Sequence, residues 1–303
     1  MDIATILSLG QTALELGLIC SLTVLALYLS YSMLNVCDLS TDGCFTLGAA
    51  VGAIVVISGH PYLAIPAAMA IGMVSGFVTA LLQTKMGIDS LLAGIIVNTG
   101  LYSINIAIMG GSSLLNMNKV DTVFSLMKDL LKGTVFAKQY KLAVALIAVI
   151  VILVLLTLFL KTRLGLAIRA TGNNRKMVRA QGVNTDTMKI IGLVLSNGLV
   201  GLAGGLLAQY QGSANINMGR GAIVIGLVSV IIGEVIFGAR FNFAYQLGSI
   251  VAGSVIYQIV IAFVLQLGLS TEDLKLFSAV TVALALSVPA LQKKFLKSKF
   301  TPV

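Results

Sequence analysis

The sequence has no tryptophan, a single histidine, four prolines and three cysteines, and only 10% of its 303 residues are charged. A soluble domain carries about a quarter charged residues. With 58% hydrophobic residues and a mean hydropathy of +1.02, water is a poor solvent for most of this chain. The lone histidine, His60 in GHPYL, excludes an HExxH metal pair. A hydrolase with a histidine base would have to use His60, whose plainer reading is a turn residue ahead of Pro61. There is no Gly-Lys dipeptide, so no Walker A loop can cradle ATP. The cysteines are odd in number and lack metal-ligand spacing; Cys20 lies in an apolar stretch, while Cys37 and Cys44 flank a polar knot, and all three read as small buried thiols. No catalytic residue, metal site or cofactor is expected in the chain. The start, MDIATILSLG, has neither a basic n-region nor a small-residue cleavage site, so no cleaved signal peptide is expected.

What is present in abundance is apolar sequence. Nine segments, 13–34, 44–59, 62–84, 86–109, 142–160, 188–210, 219–238, 243–266 and 273–291, approach or reach the roughly 20 residues that cross a bilayer core. The expected fold class is all-α and polytopic, with about nine (eight to ten) transmembrane helices. The net charge of +9 does not point to nucleic acid, because the basic residues cluster in loops. There they report orientation. The 161–189 stretch and the tail LQKKFLKSKF together hold eleven basic residues. Both are expected on the cytoplasmic side, and the four segments between them make that consistent. The N-terminus and the 110–141 loop then fall outside. The loop fits less well, with five lysines against Asp121 and Asp129. Within it, Val120, Phe124, Met127 and Leu131 recur at helical spacing. That predicts a short surface helix, lying on the bilayer or docking an extracytoplasmic partner.

Two stretches share a pattern. NVCDLSTDGCFTLGAAVGAIVV (35–56) follows the first segment and QYQGSANINMGRGAIVIGLVSVI (209–231) follows the sixth. Each is a polar, glycine-containing break leading into a short apolar helix. This arrangement predicts inverted repeats with interrupted helices, a signature of transporters. Irregular backbone at membrane depth survives only where protein or a water-filled cavity satisfies it. The chain divides as one transmembrane domain, 1–303, with 13–109 as the first repeat, 110–160 as outer loop and linking helix, 161–187 as a cytoplasmic loop, 188–291 as the second repeat and 292–303 as the tail.

Ionisable residues at membrane depth are functional candidates. Glu234 in VIIGEVIFG is the clearest; pairing with Arg240 or a loop base, gating, and substrate contact are its three readings. Asp38 and Asp42 can satisfy free amides at the broken helix. On the fourth segment Asn98, Tyr102 and Asn105 share one helical face, and Asn197 sits within the sixth. These polar groups either bond helices together or line a substrate path.

The stretch RATGNNRKMVRAQGVNTDTMK (169–189) is the polar exception near the middle of the chain. Gly172 reads as the end of an incoming run. Asn173 or Asn174 caps a short helix closed by Gly182, and Asn184, Thr185 or Asp186 caps the next apolar segment. A short, capped, basic helix can bind anionic headgroups or seat in a groove on a cytoplasmic protein, and its ordered ends favour the second.

The stretch GLAIRATGNNRKMVRAQGVNTDTMKIIGLVLSNGLVGLAGGLLA (165–208) resembles the permease subunits of bacterial ABC importers of the branched-chain amino acid and ribose type. DLSTDGCFTLGAAV (38–51), GLYSINIAIMGGSS (100–113) and SVIIGEVIFG (229–238) resemble the tryptophan/tyrosine-type branch of that family. The resemblance implies a type II importer fold in the bacterial plasma membrane. It also implies a homodimeric pore, two cytoplasmic ABC ATPases that bind ATP and magnesium, and a separate extracytoplasmic solute-binding protein. It implies a coupling helix over about Thr171–Gln181, with Arg169, Thr171, Gly172, Asn173, Asn174, Arg175, Lys176, Met177 and Gly182 at the ATPase contact. Glu234 is a departure, at a position where the family often has a second glycine. An ion-coupled secondary carrier using Glu234 is the alternative to an ATP-driven amino acid importer.

Overall fold

The computed structural model describes residues 3–118, 120–130, 139–237, 243–266 and 280. In chain order its elements are α1 (Ile3–Leu27) with a π-helical turn (Tyr28–Met33), α2 (Thr41–Ile57), α3 (Pro61–Thr84), α4 (Ser90–Ile108), β1 (Leu114–Asn116), α5 (Val123–Leu130), α6 (Tyr140–Lys161), α7 (Arg163–Asn173), α8 (Arg175–Ala180), α9 (Thr185–Gln211), β2 (Ser213–Asn215), α10 (Ala222–Phe237) and α11 (Phe243–Gln266). Among the described residues, six helices are long and apolar enough to cross a membrane: α1 with its π turn, α3, α4, α6, α9 and α11. α2 and α10 are apolar but have only 17 and 16 residues, about 25 Å at the helical rise. The expected ninth segment, 273–291, the tail and Arg240 lie outside the described residues.

α9 is the post around which α1, α2 and α3 pack. It is buried almost without interruption from Ser196 to Gln209. Glycine makes this close approach possible. A Cβ on Gly201 would strike the Ala68 carbonyl of α3, one on Gly204 the Phe45 carbonyl of α2, and one on Gly72 the Asn197 carbonyl. Small residues that let backbones meet are how membrane helices associate when lipid is as apolar as their side chains. The GLAGGLLA stretch is therefore a packing surface.

The two short helices begin partway along the bundle. The chain turns out of the π helix at Asn35, whose φ of 53° is one that asparagine tolerates better than most residues. It re-enters through 36–40 and starts α2 level with the middles of its neighbours: the Cys44 thiol donates to the Asn197 carbonyl at 3.3 Å, and Gly43 lies against Leu101. α2 then runs toward a two-stranded ribbon in which β1 and β2 pair antiparallel, Leu115 opposite Ala214. After α9, Gly212 (φ 69°) and Gly221 (φ 87°) turn the chain back inward, and α10 starts beside the beginning of α2. It runs the opposite way, antiparallel to α11 and toward the end that carries α7 and α8.

α5 corrects one expectation. Its apolar stripe lies on the protein itself: Phe124 is buried and meets the Tyr210 ring edge-on, with centroids 5.7 Å apart, and Met127 packs against the same core. The Val123 amide donates to Gln209 Oε1 at 3.0 Å. Leu131 lies outside the described residues. Glu15 is buried and accepts from the Tyr210 hydroxyl (2.8 Å) and the Gln11 side-chain amide (3.0 Å).

Candidate functional site

Among the exposed helix faces, those of α6 and α4 differ in chemistry. On α6, Ile147, Ile150, Val151, Val154, Leu155 and Leu158 are exposed and all apolar, a surface that lipid satisfies. On α4, Asn98 is half-buried, and Thr99, Tyr102 and Ser103 are exposed halfway along a helix of membrane-spanning length. Polar groups at that depth belong against protein or water, not lipid. They line a cavity of about 410 Å³ together with Asp42, Asn105 and Arg220. That volume is in the range of small-molecule sites.

Three of the four residues expected on a substrate path, Asn98, Tyr102 and Asn105, are thus brought together. Asn105 is 1% exposed; its Nδ2 donates to the Gly43 carbonyl at 3.1 Å, and its Oδ1 is buried without a partner. The fourth, Asn197, is elsewhere. It is buried within α9 and donates to Asp38 Oδ2 at 2.7 Å, so its work is to tie the first break to the central post. Asp38 Oδ1 accepts from the Ser40 amide (2.9 Å) and hydroxyl (2.6 Å), which closes the knot.

Asp42 and Arg220 were not legible as site residues. Asp42 lies in the first turn of α2, yet it serves α10: its Oδ2 accepts from the Gly221 amide at 2.9 Å and its Oδ1 from the Ile223 amide at 3.0 Å. The starts of the two short helices face one another, each with unsatisfied N–H groups and about half a positive charge. One carboxylate between them offsets both. Asp38 and Asp42 both lie level with the middle of α9. Arg220 projects from the re-entrant turn between the 410 Å³ cavity and a more apolar one of about 220 Å³ bordered by Leu16, Val24, Phe45 and Ile225.

The polar loop folds much as its caps imply. Asn174 Oδ1 accepts from the Met177 amide at 3.1 Å and starts α8; Gly182, at φ 81°, follows its end; Asn184 Oδ1 accepts from the Asp186 and Thr187 amides and starts α9. Gly172 is the exception. It lies inside α7 instead of ending it, because a Cβ there would strike the Met33 carbonyl at the end of the π turn. Thr171 is buried beside it, its hydroxyl bonded to the Ala167 carbonyl. Arg169 stacks over the Phe243 ring, 4.5 Å from its centroid. Arg179 ties α8 to α9 through Thr185 (2.7 Å) and Asp186 (2.9 Å). The tip is open: Asn173, Asn174, Arg175, Lys176 and Met177 are all exposed.

Glu234 lies three residues before the end of α10 and borders neither cavity. It and Arg169 both lie within electrostatic reach of Tyr28, which puts it near the α7 end of the bundle. His60 caps α3 in an exposed turn. No group of three histidine, cysteine or acidic residues that could hold a metal occurs among the described residues.

A bundle of spanning helices with two shorter helices meeting inside it, and a polar cavity at that meeting point, fits a membrane permease. Residues 11–288 match the family model for the permease component of branched-chain amino acid transport systems. The chain belongs to that family. It is 39% identical to a tyrosine transport system permease protein of Clostridioides difficile, over 88% of this chain and 86% of that one. It is 35% identical to an uncharacterized protein of Rickettsia prowazekii, over 91% and 96%. To a probable branched-chain amino acid transport permease, LivH, of Methanocaldococcus jannaschii it is 26% identical, over 64% and 61%. No solved structure gives a significant match. The family and its named relatives make this permease a multi-pass membrane protein that works in transport.

Proposed function

We propose that this permease is the transmembrane subunit of an ATP-driven importer for a small polar solute, an aromatic or branched-chain amino acid. Two copies form the pore, with the two α4 polar faces lining its path. α1–α4 and α9–α11 act as inverted repeats. The α7–α8 end is cytoplasmic, and the end with the β1–β2 ribbon faces the extracytoplasmic binding protein. Two ABC ATPases, which carry the ATP and magnesium, seat on the α7–α8 tips.

The observation that carries this reading is the construction of α7–α8. A basic, exposed tip with an exposed Met177 (56%) stands on a base that is fixed on three sides, at Met33, Phe243 and Asp186. A headgroup-binding segment needs only charge. A lever needs stiffness, and Gly172 against Met33 couples the tip directly to α1 and the first break. ATPase closure moves the tip, and the motion enters the bundle where the short helices begin.

The test is uptake into proteoliposomes of the complex purified from its native membrane, with and without internal ATP. Amino acid accumulation requires ATP and is abolished by deletion of 173–180. Uptake into ATP-free vesicles that follows an ion gradient and is lost in Glu234→Gln would replace this reading with that of a secondary carrier.

A further inference from the structure

The chemistry of the 410 Å³ cavity goes further than the importer reading on which it rests. The Arg220 side chain is exposed and has no hydrogen-bond or ion-pair partner among the described residues. Its neighbour Asp42 makes no ion pair with it and bonds the Gly221 and Ile223 amides instead. Asp42 instead fixes the turn from which Arg220 projects. Asn98 and Tyr102 also line the cavity with no side-chain hydrogen bond among the described residues, and Asn105 Oδ1 is buried at its wall without a partner. The buried Asn105 oxygen is costly to leave unmet, whereas Arg220 and Tyr102 are exposed and free to meet a solute. An unpaired guanidinium offers five donors in a planar fork that matches a carboxylate. The amide and phenol oxygens opposite supply acceptors. A neutral sugar would leave the guanidinium charge uncompensated; a zwitterion compensates it.

We propose that this cavity is a transit site for a zwitterionic amino acid, and that Arg220 reads its α-carboxylate while Asn98, Tyr102 and Asn105 face its ammonium end. Arg220 is then the residue that selects amino acids over amines within the membrane, separately from any selection by the binding protein.

The experiment measures weak binding of L-tyrosine and of tyramine, which lacks the carboxylate, to the full chain in lipid nanodiscs by saturation-transfer NMR. Wild type binds tyrosine more tightly than tyramine. Arg220→Gln loses about tenfold or more in affinity for tyrosine, the loss expected for a charge-assisted hydrogen bond, and keeps its tyramine affinity, which also shows that it folds. Arg220→Lys recovers part of the loss. Equal loss of both ligands in Arg220→Gln, an unchanged preference, or no tyrosine binding to wild type would overturn the proposal. ATP-dependent tyrosine uptake that persists unchanged in Arg220→Gln defeats this site alone and leaves the importer reading standing, whereas the absence of ATP dependence in wild type defeats the importer reading itself.

Discussion

The two breaks that precede the short helices solve the same problem with opposite means. The first, 35–40, is closed by side chains. Asp38, Ser40 and Thr41 are all buried, and Asn197 completes the carboxylate's bonds from the central helix. The second, 212–221, is closed by glycines and borders the cavity. Its α10 amides have to borrow an acceptor, Asp42, from the other half of the chain. A break whose bonds are internal and buried is a fixed joint. The second break is held from outside: β2 pairs with β1, the Thr46 hydroxyl accepts from the Gly219 amide at 3.2 Å, and Asp42 holds the start of α10. The difference makes Asp42 the link between the two short helices.

The largest expected effect comes from driving that link. Gly172→Val puts a branched side chain into the Met33 carbonyl, just before the first break, and is expected to abolish uptake while the protein still reaches the membrane. Transport assays beside a membrane-fraction immunoblot check both halves of that statement.

Next is the fixed joint. Asp38→Ala leaves three buried donors without an acceptor and is expected to cost about 3–5 kcal/mol, read as a large fall in thermal stability in detergent. The exchange Asp38→Asn with Asn197→Asp restores an amide facing a carboxylate and should recover much of that loss. If the exchange is no better than either single change, the knot does not hold the joint.

Asp42→Asn keeps one acceptor for two amides and is expected to cost about 1–2 kcal/mol, less than the loss at Asp38, yet to lower uptake more than its stability loss explains. A stability loss as large as at Asp38 would erase the contrast between the joints. The smallest effect belongs to Arg179→Met. Its pair with Asp186 is exposed, 62% and 51%, and exposed pairs contribute about 0–1 kcal/mol, so thermal stability should be nearly unchanged.

What was legible in the sequence was what is local. The spans follow apolar length: 188–210 is α9 (Thr185–Gln211) and 243–266 is α11. Asn174, Gly182 and Asn184 were readable because a cap bonds its own neighbours. Both breaks were visible as polar, glycine-containing interruptions. What was not legible depends on which distant element a residue meets. Asp42 caps a helix about 180 positions away, and nothing within its own turn signals that. Asn197 and Asn98 look alike in sequence, yet one is enclosed by the central packing and the other faces the cavity. Gly172 resembles a helix stop because a close approach to the Met33 carbonyl and a chain reversal call for the same residue. The α5 stripe was assigned a surface because its partner, Tyr210, lies on α9.

The most direct test of the account is a mild-detergent pull-down of the tagged chain from its native membrane, with copurifying proteins identified by mass spectrometry. The account predicts a stoichiometric ATPase with a Walker motif, lost when 173–180 is deleted while the chain itself remains folded in the membrane. A chain that purifies without an ATPase, or whose ATPase stays bound after the deletion, would contradict it.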